Sequence, residues 1–208
     1  MKNDSGKSPK GRPKQDAAAI QKKKLQIIDA AKHLFNEEGY ESVSMRKIAA
    51  QAGMGAMTLY QYFPKKIDIL HHIWGEFFLE IFQRIAHETH KQRSANKKLK
   101  TALTVYLNYW FEYPDRFRMV FLNEDRSDTK DEFFIEKDDN VLASYNQMFD
   151  QVVMEVFPEN TYAKNQVIAQ SLICMVHGIA LNLITISEFS WREHSKLLDA
   201  YISTLLNE

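Results

Sequence analysis

Residues 22–66 hold three apolar-periodic stretches separated by Gly39, by Gly53-Met54-Gly55 and by Pro64, which leaves room for one ordinary helix and two short ones. In the first, Leu25, Ile28, Ala31, Leu34 and Phe35 recur at helical spacing, and Gly39 supplies the stop. In the second, Ser44 is placed to cap the N-terminus, Ile48, Ala49 and Ala52 face inward, and Gly53 ends it. The third runs from about Ala56 to Phe63, with Leu59 and Phe63 four apart on its inner face and Ala56 less strongly so. Two-turn helices are marginal alone, so these must share one core with the longer helix. Two short helices across a tight turn, behind a supporting helix, make a helix-turn-helix of the three-helix type.

The third helix lies in the segment GMGAMTLYQYFPKK, and its outer face explains what the unit is for. At about 100° per residue, Met57 and Gln61 point almost directly away from Leu59, Thr58 and Tyr60 flank them, and Tyr62 lies beside Thr58. A buried helix would carry fewer polar groups and a solvated one fewer aromatics. The mixture suits the major groove of DNA: glutamine pairs with adenine, methionine packs on a thymine methyl, and threonine and tyrosine hydroxyls bond phosphates. Ser44 and Arg46 open the second helix, from which exposed Arg46 can reach a guanine edge. Lys66, just past Pro64, opens a fourth helix where free N–H groups and the helix dipole also favour a phosphate. Charge agrees: residues 1–72 carry 13 Lys/Arg against 7 Asp/Glu, so they stand at +6 and the rest of this formally neutral chain at −6.

Residues 1–21 are polar, basic and without apolar periodicity, and are expected to form a disordered arm. Within it, Pro9-Lys10-Gly11-Arg12-Pro13-Lys14 resembles an AT-hook core, in which Arg12 enters a narrow minor groove. A merely solubilising basic tail is the other reading of those residues. The arm's cations are not followed by the apolar core of a signal peptide, and the single cysteine, Cys174, cannot form an internal disulfide. Both features fit a cytoplasmic protein.

The remainder reads as helix throughout, giving an all-α fold with domains at 22–66 and 67–208. Long helices are expected near 66–91, 99–112, 136–156, 162–187 and 191–206, with a polar linker at 92–98, a short helix near 115–122 and a charged loop at 123–130. Aromatics crowd the first part of this body, and the candidate pocket for an apolar or aromatic ligand comprises Trp74, Phe78, Phe82, Tyr106, Tyr109, Trp110, Phe117, Phe121, Met175 and His177. Packing alone accounts for most such residues, and a lone histidine on an apolar helix is often a satisfied core residue. Val167 to Ser187 contains no charged residue, yet Gln170, Ser171, His177, Asn182 and Thr185 interrupt it, which favours a buried helix over a membrane span. With the stripe on the last helix it suits a two-fold interface through Leu172, Ile179, Leu183, Trp191, Leu198, Tyr201 and Leu205.

The run GYESVSMRKIAAQAGMGAMTLYQYFPKKIDIL, preceded by AAKHLFNEEGY, resembles the DNA-binding signature of the tetracycline-repressor (TetR) family over about Lys24 to Leu70. The resemblance implies a small N-terminal DNA-binding domain, a larger helical ligand-binding and dimerisation domain, and a homodimer. It places Arg46, Met57, Tyr60 and Gln61 at base-reading positions and Thr58, Tyr62 and Lys66 at phosphate positions. Gly55 stands where the family often has a serine cap, and Ala56 and Met57 where polar readers are sometimes found. In the body, Glu112-Tyr113-Pro114-Asp115-Arg116-Phe117 and Val176-His177-Gly178 resemble the Trp-His-Gly subgroup, although an apolar stretch around Ile173 replaces its tryptophan. The function so implied is a homodimeric repressor on an inverted-repeat operator in double-stranded DNA, released by an unknown small-molecule inducer, with no membrane partner and no cofactor. An architectural binder acting through its basic arm is the alternative. Catalysis finds no support: His87-Glu88-Thr89-His90 has its histidines three apart where a zincin needs four, so no metal site is expected, and no phosphate loop or nucleophile signature is present.

Overall fold

The computed structural model describes residues 17–123 and 141–206, with side chains described from 147 onward in the second segment. Arg12, the hook-like segment, the charged loop from 124 and the expected helix start at 136 fall outside the described residues. Within them the fold is all-α, in the order α1 (Ala17–Glu38), α2 (Met45–Gln51), α3 (Ala56–Tyr62), α4 (Lys66–His90), α5 (Ala95–Glu112), α6 (Pro114–Phe121), α7 (Val141–Val156), α8 (Tyr162–Thr185) and α9 (His194–Leu206). The head consists of α1 to α3 closed on the start of α4, with Ile27, Ile28, Ala31, Leu34, Phe35, Ile48, Ala49, Leu59 and Phe63 in its core. In the body, α4 and α5 pack side by side, α7 and α8 lie against α5, and α9 closes over α5 and α8.

Several boundaries moved for local reasons. The first helix starts at Ala17, so the last five residues expected in the arm are helical; Ala17–Ala19 are strong helix formers that need no buried contact. Leu25 is half exposed and Ile27 is buried in its stead, because the stripe is centred between Ile27 and Ala31 and Leu25 lies about 140° off it. The expected linker shrinks because Ser94 caps α5, its Oγ accepting from the Lys97 N–H at 3.3 Å. Pro114 occupies the first turn of α6, where its missing N–H costs nothing. The final helix begins at His194 instead of Trp191, whose indole donates to the Ile186 carbonyl in the preceding loop.

Candidate DNA-reading head and ligand core

The reading helix is fixed from both sides. Ser44 adopts an extended conformation, and its hydroxyl accepts from the Lys47 N–H at 3.3 Å, which sets the start of α2. The turn that follows requires a left-handed residue, and Gly53 at φ +64° provides it. Gly55 caps α3 with backbone alone, its carbonyl accepting from Thr58 and Leu59. On the far side, Gln26 of α1 donates to the Ala52 carbonyl at 2.7 Å, a tie across the head that periodicity could not reveal.

With Leu59 fully buried, the opposite face of α3 stands open. Met57 is 79% exposed and Tyr60 45% exposed. Thr58 and Gln61 are exposed beside them, as are Ser44 and Arg46 on α2. Tyr62 is different: it is half-buried and packs against the core. Lys66 departs further from expectation. Its ammonium donates to the Tyr40 carbonyl at 2.9 Å and lies 4.0 Å over the Tyr40 ring, so it is held by the head. Asp68 meanwhile accepts from the Lys65 N–H at 2.8 Å, placing a carboxylate where a phosphate was expected at the start of α4. The cation left in solvent there is Lys65, which carries no ion pair among the described residues.

The body's predicted pocket residues divide into two groups. Trp74, Phe78, Tyr106, Tyr109, Trp110 and Phe117 are buried core, whereas Phe82, Phe121, Met175 and His177 are half-buried at its margin. Tyr106, Phe117 and Phe121 each make ring contact with both Trp110 and His177, at centroid separations of 4.5–6.5 Å. His177 shares a 2.6 Å hydrogen bond with the Tyr106 hydroxyl, which makes it a satisfied histidine inside this aromatic cluster. In this conformation, therefore, the rings pack on one another, edge to face in several pairs, as aromatic quadrupoles prefer.

A charged clamp that the sequence did not disclose joins the same elements. Arg116 of α6 bonds Glu80 of α4 at 2.8 Å and also the Tyr109 hydroxyl, while its guanidinium lies 4.0 Å over the Tyr113 ring. Arg84 reaches Glu80 at 2.7 Å and Glu112 at 2.6 Å. Burial alone would raise the Glu80 carboxyl, but the hydrogen bonds and charges of Arg116 and Arg84 outweigh it and hold its pKa below the usual range. Burial pushes the Tyr109 phenol up to about 12 against the opposing pull of Arg116, so it stays protonated and can donate to Glu80. Closer to the head, Lys32 of α1 pairs with Glu76 of α4. The helix that begins beside the reading head is thus gripped by both α1 and α6.

Comparison with known proteins assigns the head. Residues 27–73 match the family of bacterial regulatory proteins described as the tetR family. The chain carries a tetR-family N-terminal domain. It is 34% identical over 86 residues to the fatty acid metabolism regulator protein of Bacillus subtilis (strain 168), spanning 41% of this chain and 44% of that protein. It is 26% identical over 183 residues to an HTH-type transcriptional regulator of Staphylococcus aureus (strain USA300), spanning 85% of this chain and 90% of that one. Its fold is similar to that of the transcriptional regulator FadR from Bacillus subtilis in complex with stearoyl-CoA, with a TM-score of 0.66 at 21% identity, over 88% of this chain and 97% of that one.

The tetR-family head spans α1 from Ile27, both short helices and the start of α4 through Ile73. Outside it, the last two helices need a correction. Leu172 and Leu198 of the expected interface face into the protomer and are buried there. Ile179, Leu183 and Leu205 are half-buried, and Trp191 and Tyr201 remain exposed. The bare apolar positions of α8 are Val167, 64% exposed, and Leu181, 40% exposed, with exposed Ser171 and Cys174 between them. Only 22% of the most apolar stretch of α8 is buried within one protomer, so the all-round burial expected of it does not occur. By length and composition α8 is the one helix among the described residues apolar enough to cross a membrane.

Proposed function

We propose that this protein is a DNA-binding transcriptional repressor that leaves its operator when a small apolar ligand enters the body. The observation that carries the reading is the outer face of α3, where Met57, Thr58, Tyr60 and Gln61 stand exposed on a helix fixed by the Ser44 cap and the Gly53 turn. Two copies joined through the bare side of α8, together with Trp191 and Tyr201, form a two-fold dimer that sets two such helices in successive major grooves. An inverted-repeat operator follows from that symmetry. The acyl ligands of the fatty-acid regulators that this chain resembles are the ligand class adopted here. Assignment of the body to the Trp-His-Gly subgroup rests on Glu112 to Phe117 and Val176-His177-Gly178 alone.

Release works through α6 in this reading. Phe117 and Phe121 on one side of α6 belong to the ring cluster, and Arg116 on the other holds Glu80 of α4. A ligand that parts the rings displaces α6, and the clamp passes the displacement along α4 to the head. The ligand must bind the displaced state better than the operator-bound one, since equal affinity shifts nothing. Selection of the purified protein on random duplex DNA at several salt concentrations tests the proposal. Recovery of an inverted repeat preferred over random duplex by about a thousandfold or more is the expected result. Binding without enrichment, falling steeply with salt, points instead to the architectural binder.

A further inference from the structure

The chain has three tryptophans, and they differ in what their indole N–H groups meet. Trp191 donates to the Ile186 carbonyl at 2.9 Å. Trp74, whose ring lies against His71, and Trp110 each bury the N–H without an acceptor among the described residues. Trp110 is the more enclosed of the two: it is fully buried, with the rings of Phe78, Tyr106, Tyr109, Phe117 and Phe121 around it at centroid separations of 5.1–6.1 Å. Buried tryptophans ordinarily find a partner for this group, and a donor taken out of water and left unpaired costs the folded state its full desolvation. The hydroxyls beside it are already engaged, Tyr106 with His177 at 2.6 Å and Tyr109 with Glu80 at 3.2 Å. An N–H directed at one of the surrounding rings recovers only a fraction of a hydrogen bond.

We infer that Trp110 is the residue that recognises a polar group on the body's ligand: its indole N–H donates to a single uncharged acceptor, a carbonyl or ether oxygen, carried on an otherwise apolar molecule. The inference rests on the reading of the body as a ligand-binding core. Charge on the acceptor is excluded by the surroundings of the indole. Arg84 and Arg116, the cations of the adjoining clamp, are committed to Glu80 and Glu112, so an anion among the rings would leave water against one neutral donor. Phe121 supplies the way in. It is half-buried, and its ring lies 5.4 Å from that of Trp110 and 4.5 Å from that of His177, on the helix that release displaces. Movement of α6 lifts Phe121 from both, and an acceptor entering behind it meets the indole. The closed core bears the unpaired donor and the liganded core does not, which gives the ligand the difference in affinity between two states that release requires.

Two probes of equal chain length, 2-decanone and decane, each delivered from cyclodextrin to the full chain, isolate the acceptor. With 2-decanone the Trp110 indole proton is expected to move downfield in a nitrogen–proton correlation spectrum, while that of Trp191, already bonded, stays in place. Decane should not produce the shift. Trp74→Phe, Trp110→Phe and Trp191→Phe assign the three signals, any two of them sufficing if one variant fails to fold. Trp110→Phe, which keeps a ring and removes the N–H, should weaken 2-decanone about tenfold and decane less than about twofold, because changed packing acts on both probes alike. Equal losses for the two probes, or binding of 2-decanone with the indole signal unmoved, overturns the inference; if 2-decanone still releases operator DNA, the ligand-relieved reading stands without it. Binding of neither probe overturns the inference and the apolar-ligand reading together.

Discussion

The outer faces of α3 and α8 both leave large apolar side chains bare, and they differ in what lies between those side chains. On α3, Met57 and Tyr60 are interleaved with Thr58 and Gln61. On α8, Val167 and Leu181 are separated by Ser171 and Cys174 on a helix whose apolar half contains no charge. A DNA groove presents methyl groups and hydrogen-bonding edges together, and the α3 surface matches that alternation. A second copy of an apolar helix presents more of the same apolar surface. Exposure alone does not distinguish a reading head from an interface; the polarity of the residues in between does.

The comparison breaks most sharply at α8. Val167→Glu with Leu181→Glu should weaken self-association by about a thousandfold, since buried charges at an interface centre are unpaired on both partners. Sedimentation equilibrium should then find a monomer with an unchanged helical spectrum; a persisting dimer would place the interface elsewhere. On α3, Gln61→Ala should cost about 1–3 kcal/mol of operator affinity and relax selection at one base position, with the dimer intact. A smaller contrast separates two adjacent lysines. Lys65→Ala should lower the salt dependence of DNA binding by about one unit of slope, whereas Lys66→Ala, having lost its grip on Tyr40, should show mainly as a lower melting temperature.

The mildest test is one of pH, at the joint between the two regions. His71 of α4 is buried against Trp74, and burial pulls its imidazole down from the ordinary 6.5 to about 4, with Asp68 opposing and His72 adding to the effect. The unfolded chain therefore takes up this proton near pH 6.5 and the folded chain only near 4. Stability associated with neutral His71 is complete above 6.5, declines as pH falls through that window and levels off below about 4. Urea midpoints at pH 7 and pH 5 should differ more for the wild type than for His71→Gln; equal differences would mean that His71 titrates freely in the fold.

The head was legible to the residue in most places because its signals are local. Ser44, Gly53 and Pro64 each act on the backbone within a turn of their own position, and Leu59 with Phe63 assigns the inner face of α3 without reference to the rest of the chain. Ser94 carried the same kind of signal and could have shortened the linker before α5. Lys66 was misplaced because its partner, Tyr40, is 26 residues away and across the head. The aromatic residues of the body were recognised as a set, but a list of rings does not say whether they enclose space or fill it.

What the sequence determined by itself was the all-helical fold, the order of its helices, the three-helix head and the face of α3 that looks outward. Those follow from periodicity, caps and breakers, whose energies depend on neighbours within a few residues. The tertiary structure decided the rest: that Leu172 and Leu198 turn inward while Val167 and Leu181 stay bare, that Lys66 is held by Tyr40 and Lys65 is left in solvent, and that Arg116 grips Glu80. Each depends on how helices from distant parts of the chain come to lie against one another, and residue spacing along a single helix carries no record of that.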